Sequence, residues 1–386
     1  MSLPALVDPG PPLAPHRAAR FARHLTLPGV GDHGQRRLAA ARVLVIGAGG
    51  LGAPAIQYLA AAGVGRLTVI DDDRVELSNL QRQVLHTEGD LGRPKAQSAR
   101  SAVALRDPEV AVTAMAARLD PSNALALFRE HDLVLDGSDN FATRYLSNDA
   151  AELTGTPVVW GSIHQFAGQV SVFWPGRGPM LRDLFPDIPD VDLIESCATG
   201  GVFGVLCGAV GSAMAAEALK LLCGIGEPLI GRLARYDALS ARWDELRFHA
   251  DPDRPPVLDL EEVAVACWAQ WPHGRADDIS AGEVAARLER GSAGLVVVDV
   301  RSAEERETSA IEGSVSVPLA RILDKGWACV AEALGDRAFD GRDIVVTCQA
   351  GIRSARAIDA LIESAPPGTP LRNLAGGVDA FSAAAQ

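Results

Sequence analysis

The stretch that most restricts the fold is ARVLVIGAGGLGAPAIQYLAAAGVGRLTVID at 41–71. An apolar run enters GAGGLG at 47–52, a helical pattern follows, and a second apolar run ends on Asp71. Strand, glycine turn, helix and strand make a βαβ unit, because two parallel strands can be joined only by a crossover. The apolar runs LVLD at 133–136 and PVVW at 157–160 continue the alternation. The chain is therefore expected to build an α/β fold with a largely parallel sheet covered by helices. GQVSVFW at 168–174 alternates in the manner of a more exposed strand.

The glycine run fits G-x-G-x-x-G in the required context, directly after a strand and opening a helix. Its backbone N–H groups can approach a phosphate closely, and Asp71 can accept hydrogen bonds from ribose hydroxyls. Taken alone, these features favour an NAD-dependent oxidoreductase. The residues that follow shift the balance: DDDRVELSNLQRQVLH at 71–86, GRPKA at 92–96 and DGSDN at 136–140. Arg82 and Lys95 suit triphosphate oxygens and charge developing at an α-phosphate, and Asp139 suits Mg²⁺. Asn79 supplies a neutral hydrogen-bonding group between them.

With these motifs the chain resembles the MoeB/ThiF/E1 superfamily of enzymes that activate ubiquitin-like proteins. The resemblance rests on GAGGLG, Asp71 and Asp73, SNLQRQ at 78–83, Lys95, and the Asp139–Asn140 pair. It implies a Rossmann-like domain that binds MgATP through Gly47, Gly49, Gly50, Gly52, Asp71, Asp73, Ser78, Asn79, Leu80, Gln81, Arg82, Lys95, Asp139 and Asn140. Asp139 would hold the Mg²⁺. RFARH at 20–24 resembles the segment from which the family lends an arginine to a partner subunit, which assigns that finger to Arg23 and implies a homodimer.

Many relatives carry two CxxC pairs for a structural zinc. Here Met180 and Asp183 of PMLRDLFP stand at the first pair and only Cys267 lies near the second, so no thiolate tetrahedron is expected. VVWGSIHQFAGQVSVFW at 158–174 resembles the fused, MoeZ-type branch that dispenses with these cysteines. Cys197 in SCATGGVFG matches a cysteine proposed in relatives to bond the carrier covalently. It is a candidate nucleophile, with a small buried thiol as the competing reading; Cys207 and Cys223 read as core.

A second module follows a segment without periodicity that contains ADPDRPP and WPHGRADD. It shows a helix near 280–290, the strand GLVVVDV at 294–300, the strand DIVVTC at 343–348, a helix after Gly351, and a terminal strand near 371–374. CQAGIRS at 348–354 sits between strand and helix, so backbone N–H groups and the positive helix end face the sulfur of Cys348, with Arg353 as a nearby cation. DVRSAEE at 299–305, IEGSVSVPL at 311–319, CQAGIRS and LAGGVDAF at 374–381 resemble the rhodanese family, in which the cysteine carries a persulfide. Ala310 and Phe381 depart from residues common in that family, and neither lies in the sulfur loop. A phosphatase loop would hold one more residue between cysteine and arginine than the four found here.

Read together, the segments are a Pro-rich flexible leader (1–16), an adenylating domain (17–250), a linker (251–276) and a smaller α/β rhodanese domain (277–386). A length of 386 residues suits two domains. The net charge of −13 argues against a nucleic-acid surface, and six scattered cysteines without a CxxC pair favour a reducing, cytoplasmic setting. Residues 198–216 are uncharged over nearly a bilayer's thickness, but the glycines within and Glu217 and Lys220 just beyond favour a buried helix over a membrane span. The combined reading is an ATP-dependent adenylyltransferase and sulfurtransferase. Its partner is a ubiquitin-like sulfur-carrier protein ending in Gly-Gly, of the molybdopterin-synthase small-subunit or ThiS type, and its sulfur comes from a persulfide donor such as a cysteine desulfurase. A non-catalytic adaptor for such a protein is the reading from another class.

Overall fold

Strand β1 (Arg42–Ile46) buries every residue after the first, as the centre of a sheet covered on both faces requires. Val43 and Val45 join one hydrophobic cluster and Leu44 and Ile46 the other, so the two-residue strand period divides the core into two layers. The computed structural model describes residues 4–188, 201–260, 263–264, 277–290, 294–335, 341–349 and 351–384. The chain forms two units, Met1–Cys267 and Trp268–Gln386.

In the first unit, β3 (Ala111–Met115), β2 (Arg66–Ile70), β1, β4 (Leu133–Asp136) and β5 (Val158–His164) lie side by side and parallel. Three antiparallel strands extend the sheet: β6 (Ala167–Phe173), β7 (Arg232–Asp237) and β8 (Arg242–Arg247). The helices before the long final one are α1 (Pro15–Arg20), α2 (Ala22–Leu25), α3 (Gly31–Ala40), α4 (Gly52–Ala61), α5 (Lys95–Arg106), α6 (Ala124–Glu130) and α7 (Phe141–Thr154), with a short turn at Leu181–Leu184. One core layer draws on α3, α4, α5 and the helix Gly204–Cys223, and the other on α6 and α7.

Two expectations change, and the buried-helix reading of the uncharged segment does not. The strand read as more exposed, β6, is largely buried, because the helix Gly204–Cys223 packs along it. That helix is long and apolar enough by composition to cross a membrane, yet more than half of it is buried against the sheet and α4. The leader is tied down rather than free: Leu6 N–H donates to Leu221 C=O and Gly10 N–H to Arg36 C=O, while Leu6 and Val7 pack on the core.

The aperiodic segment after β8 also belongs to this unit for part of its length. Arg254 donates through Nε to Asp183 Oδ1 at 2.8 Å and pairs through Nη1 with Glu152 Oε1 at 3.0 Å, and Val263 is fully buried. Asp183 also accepts from Met180 N–H at 2.6 Å, and Met180 is buried in the core. The two residues standing at the relatives' cysteine positions are thus a core side chain and the anchor of an ion cluster.

The second unit is a parallel sheet in the order β11 (Val315–Ser316), β10 (Leu295–Asp299), β12 (Asp343–Thr347), β13 (Leu371–Leu374), β9 (Asp277–Ile279). Asp299 at the end of β10 is fully buried and paired with the equally buried Arg301 at 2.8 Å, and Arg306 joins it at 2.9 Å. Two cations around one carboxylate satisfy charges that burial alone would make costly.

Candidate nucleotide and sulfur sites

β1 delivers the chain to Gly47, whose φ of +85° suits glycine. A side chain at Gly52 would lie 1.8 Å from Gly47 C=O, and one at Gly50 would lie 2.7 Å from Cys207 Sγ. Gly52 therefore closes the loop onto α4 and does not line the cleft, while Gly50 rests on the long helix. Cys207 and Cys223 are buried.

The loop is clamped on both sides of Ala48. Its N–H donates to Asp71 Oδ2 at 2.7 Å, and its C=O lies 2.9 Å from His86 Nε2. Burial lowers the His86 pKa and favours the neutral imidazole. The partners then assign the tautomer: Nε2–H donates to Ala48 C=O, and Nδ1 accepts from the Ser98 hydroxyl at 2.8 Å.

An open cleft forms at the ends of β1, β2 and β4. It brings together Gly47, Gly49, Gly50, Asp71, Asp73, Arg82, Lys95, Asp139 and Asn140. Ser78, Asn79, Leu80 and Gln81 do not line it. Leu77–Asn79 is a 3₁₀ turn in which the buried Asn79 side chain accepts from Glu76 N–H, and Arg82 Nη1 donates to Ser78 C=O at 3.0 Å. This turn presents Arg82 to the cleft, while Gln81 backs against Gly204.

Lys95, though buried, holds Asp73 Oδ2 at 2.7 Å, and Asp73 itself is exposed. Such a pair can exchange its carboxylate for an incoming phosphate. Asp71 accepts from Ala48 and Asp73 N–H groups, and burial pushes its carboxyl up to about 6 against the pull of Lys95. Asn140 caps α7 by accepting from Thr143 N–H at 2.8 Å. Among the described residues no three His, Cys, Asp or Glu side chains cluster. The exposed Asp139 at the cleft fits an Mg²⁺ held by one carboxylate, phosphates and waters.

Sequence reasoning missed several groups here. Gln83 lines the cleft 3% exposed, and its side-chain oxygen has no hydrogen-bond partner among the described residues. Arg118 pairs with Asp72 at 2.7 Å, and Arg144 donates to Ser138 C=O while its guanidinium sits 5.0 Å from the Phe141 ring. Gln83 lay within the quoted motif, whereas Arg118 and Arg144 arrive from the ends of other elements. Arg23 lies exposed on α2 and does not line this cleft.

In the second unit, Gly351 (φ +85°) turns the chain from β12 into the helix Ile352–Ile362. Cys348 is 1% exposed, and its C=O accepts from Val378 N–H at 2.9 Å. A side chain at Gly377 would strike both Cys348 C=O and Gln349 C=O, and one at Gly376 (φ +70°) would lie 2.6 Å from Ala380 Cβ. Arg353 makes two bonds to Glu305 and holds that carboxyl down at about 2. Arg301 supports the loop from below, donating to Gln349 Oε1 at 2.7 Å. Cys197 and Cys267 lie outside the described residues.

Residues 21–256 match the ThiF family and residues 280–384 match the Rhodanese-like domain. A Mycobacterium tuberculosis protein named probable adenylyltransferase/sulfurtransferase MoeZ is 46% identical over 370 residues, covering 93% of this chain and 92% of that protein. The sulfur carrier protein adenylyltransferase of Thermus thermophilus is 54% identical over 259 residues, 64% of this chain and 96% of that protein. In solved structures, E. coli MccB with ATP shares the fold, with a TM-score of 0.53 at 20% identity over 58% of this chain and 69% of that one.

Proposed function

We propose, on the premise that this chain belongs to the ThiF family and carries a rhodanese-like domain behind it, that it adenylates the C-terminal Gly-Gly carboxylate of a ubiquitin-like sulfur-carrier protein and converts it to a thiocarboxylate. The chain is an adenylyltransferase and sulfurtransferase. The observation that carries the specific reading is the joining, in one chain, of a cleft gathering Asp71, Arg82, Lys95 and Asp139 with a strand–loop–helix turn around Cys348.

The glycine loop receives the phosphates of ATP, and Asp71 accepts from the ribose. Lys95 leaves Asp73 for phosphate oxygen, and Arg82 supports the charge that develops as the carrier carboxylate attacks the α-phosphorus and pyrophosphate departs. Mg²⁺ bound at Asp139 would neutralise phosphate charge. The resulting acyl-adenylate is attacked by the terminal sulfur of a Cys348 persulfide, releasing AMP. A further thiol cleaves the acyl disulfide, freeing the thiocarboxylate and leaving a mixed disulfide on Cys348, which a second thiol reduces to the free thiol. A cysteine desulfurase type of donor would reload Cys348, in a reducing, cytoplasmic setting.

Carrier-dependent pyrophosphate exchange tests the first half, and a carrier mass shift from oxygen to sulfur tests the second. No exchange with any Gly-Gly carrier would sink the enzyme reading in favour of the adaptor. Because Arg23 is exposed and away from its own cleft, we assign it to the cleft of a second copy. Mixing Arg23→Ala with Arg82→Ala protein should then restore part of the activity each lacks, and no recovery removes the homodimer finger.

A further inference from the structure

Behind Cys348 runs a line of polar side chains that the sulfur step above does not use. Cys348 Sγ lies 3.4 Å from Ser354 Oγ, Ser354 Oγ lies 2.7 Å from Asn373 Oδ1, and Asn373 Nδ2 lies 2.8 Å from Asp278 Oδ1. Ser354 is fully buried and Asn373 is 3% exposed, while Asp278 reaches solvent. The line crosses three elements: the helix Ile352–Ile362, β13, and β9, where Asn373 and Asp278 are register partners.

The proton directions follow from the far end. An ionised carboxylate only accepts, so Asn373 must turn its NH₂ to Asp278 and its oxygen to Ser354. An amide oxygen also only accepts, so the single Ser354 proton is drawn to Asn373. The serine lone pairs then face Cys348, and the resting thiol donates to them. A thiolate or persulfide on Cys348 has no such proton to give. Supporting that sulfur requires the hydroxyl to rotate away from Asn373 and donate toward Cys348.

We infer that Ser354 is a positioning residue whose one proton is shared between the Cys348 sulfur and Asn373, with Asn373, held by Asp278, setting how much of it the sulfur receives. The inference rests on the reading of Cys348 as the persulfide carrier. In the step it serves, the Cys348 sulfur attacks the terminal sulfur of a donor persulfide. The donor's S–S bond breaks as the new one forms, the departing donor sulfur takes up the proton Cys348 releases, and no net oxidation occurs. Burial gives the arrangement its force, since water cannot replace a hydrogen bond that the serine withdraws.

The test uses the full chain and two readouts: persulfide loading of Cys348 from inorganic polysulfide, and the pH profile of its alkylation by iodoacetamide, both followed by peptide mass spectrometry. Ser354→Ala should slow alkylation about tenfold at neutral pH and move the profile to higher pH, because a bond to a charged sulfur is lost. Asn373→Ala should move it to lower pH, because the serine proton is freed for sulfur. Asp278→Asn should act in the same direction as Asn373→Ala with smaller size, and Ser354→Thr should restore the wild-type profile. A merely structural role would move Ser354→Ala and Asn373→Ala in the same direction, and that result overturns the inference. Unmoved profiles with intact wild-type loading overturn it as well. A wild-type chain that takes up no persulfide instead brings down the sulfur-carrier reading on which it stands.

Discussion

The two sites use the same turn and finish it in opposite ways. In each, a parallel strand ends on a loop with a glycine at φ of +85° and a helix begins just beyond. Around the nucleotide cleft the charges are in pairs that can part: buried Lys95 on exposed Asp73, and half-exposed Arg118 on Asp72. Beneath the sulfur loop the pair is locked: Arg301 and Asp299 are fully buried, and Arg301 also braces Gln349, while the loop's Arg353 keeps a half-exposed pair with Glu305. A site that must admit a polyanion keeps its cations on exchangeable partners. A site that presents one sulfur atom rests on a fixed, buried frame.

The strongest test of that contrast separates the chemistries. Lys95→Ala should lower pyrophosphate exchange by about 10²–10³-fold while leaving persulfide loading of Cys348 intact. Cys348→Ala should retain exchange and form no thiocarboxylate. Cross-effects in either direction would mean the two sites are not independent. Next in size, Arg301→Leu leaves the buried Asp299 with Arg306 alone and should destabilise the second unit by about 1.5–3 kcal/mol in chemical denaturation. Loss of less than about 1 kcal/mol would show that the sulfur frame is not locked.

Nucleotide binding should depend on Asp71. Its carboxyl is raised from 3.8 to about 6 in the folded chain, chiefly by desolvation. Between those values the folded chain binds more protons than the unfolded one, so this residue's contribution to stability falls as pH rises through the window. In the proposed role Asp71 accepts from the ribose as a carboxylate, so ATP affinity should weaken as pH drops below about 6, and Asp71→Asn should flatten that dependence in calorimetric titrations. The smallest effect belongs to Asp73→Asn. Its ion pair, exposed on the Asp73 side and buried on the Lys95 side, should change stability by about 1 kcal/mol, while ATP should bind at least as well because Lys95 is released.

The glycine loop was legible because its residues obey a local rule: a positive φ and a helix packed against a carbonyl leave room for no side chain at Gly47 or Gly52. Asp71, Arg82 and Lys95 were legible through motif spacing. What failed depended on partners distant in sequence. Ser78 to Gln81 sit beside a cleft residue in the chain but form the turn behind it, and Arg144 reaches the cleft from α7. β3 is a half-exposed edge and β8 is exposed throughout, so neither has the apolar pattern that reveals a strand. β6 hid the reverse problem, since the helix that buries it lies more than thirty residues later. Arg353 reads as the cation of the sulfur loop until Glu305, on another helix, is seen to hold it.

The clasp of Arg254 on Asp183 and Glu152 is made of nitrogen and oxygen alone. Proteins that move sulfane sulfur share their surroundings with polysulfides and persulfides, which any accessible thiolate attacks. A cross-link of this kind offers them no thiolate. Its failure modes are strong acid, which discharges the carboxylates, and the loss of either carboxylate by mutation, not the redox state of the cell. The chain can therefore carry reactive sulfur on one cysteine without risking the fastening of its first unit to the same chemistry.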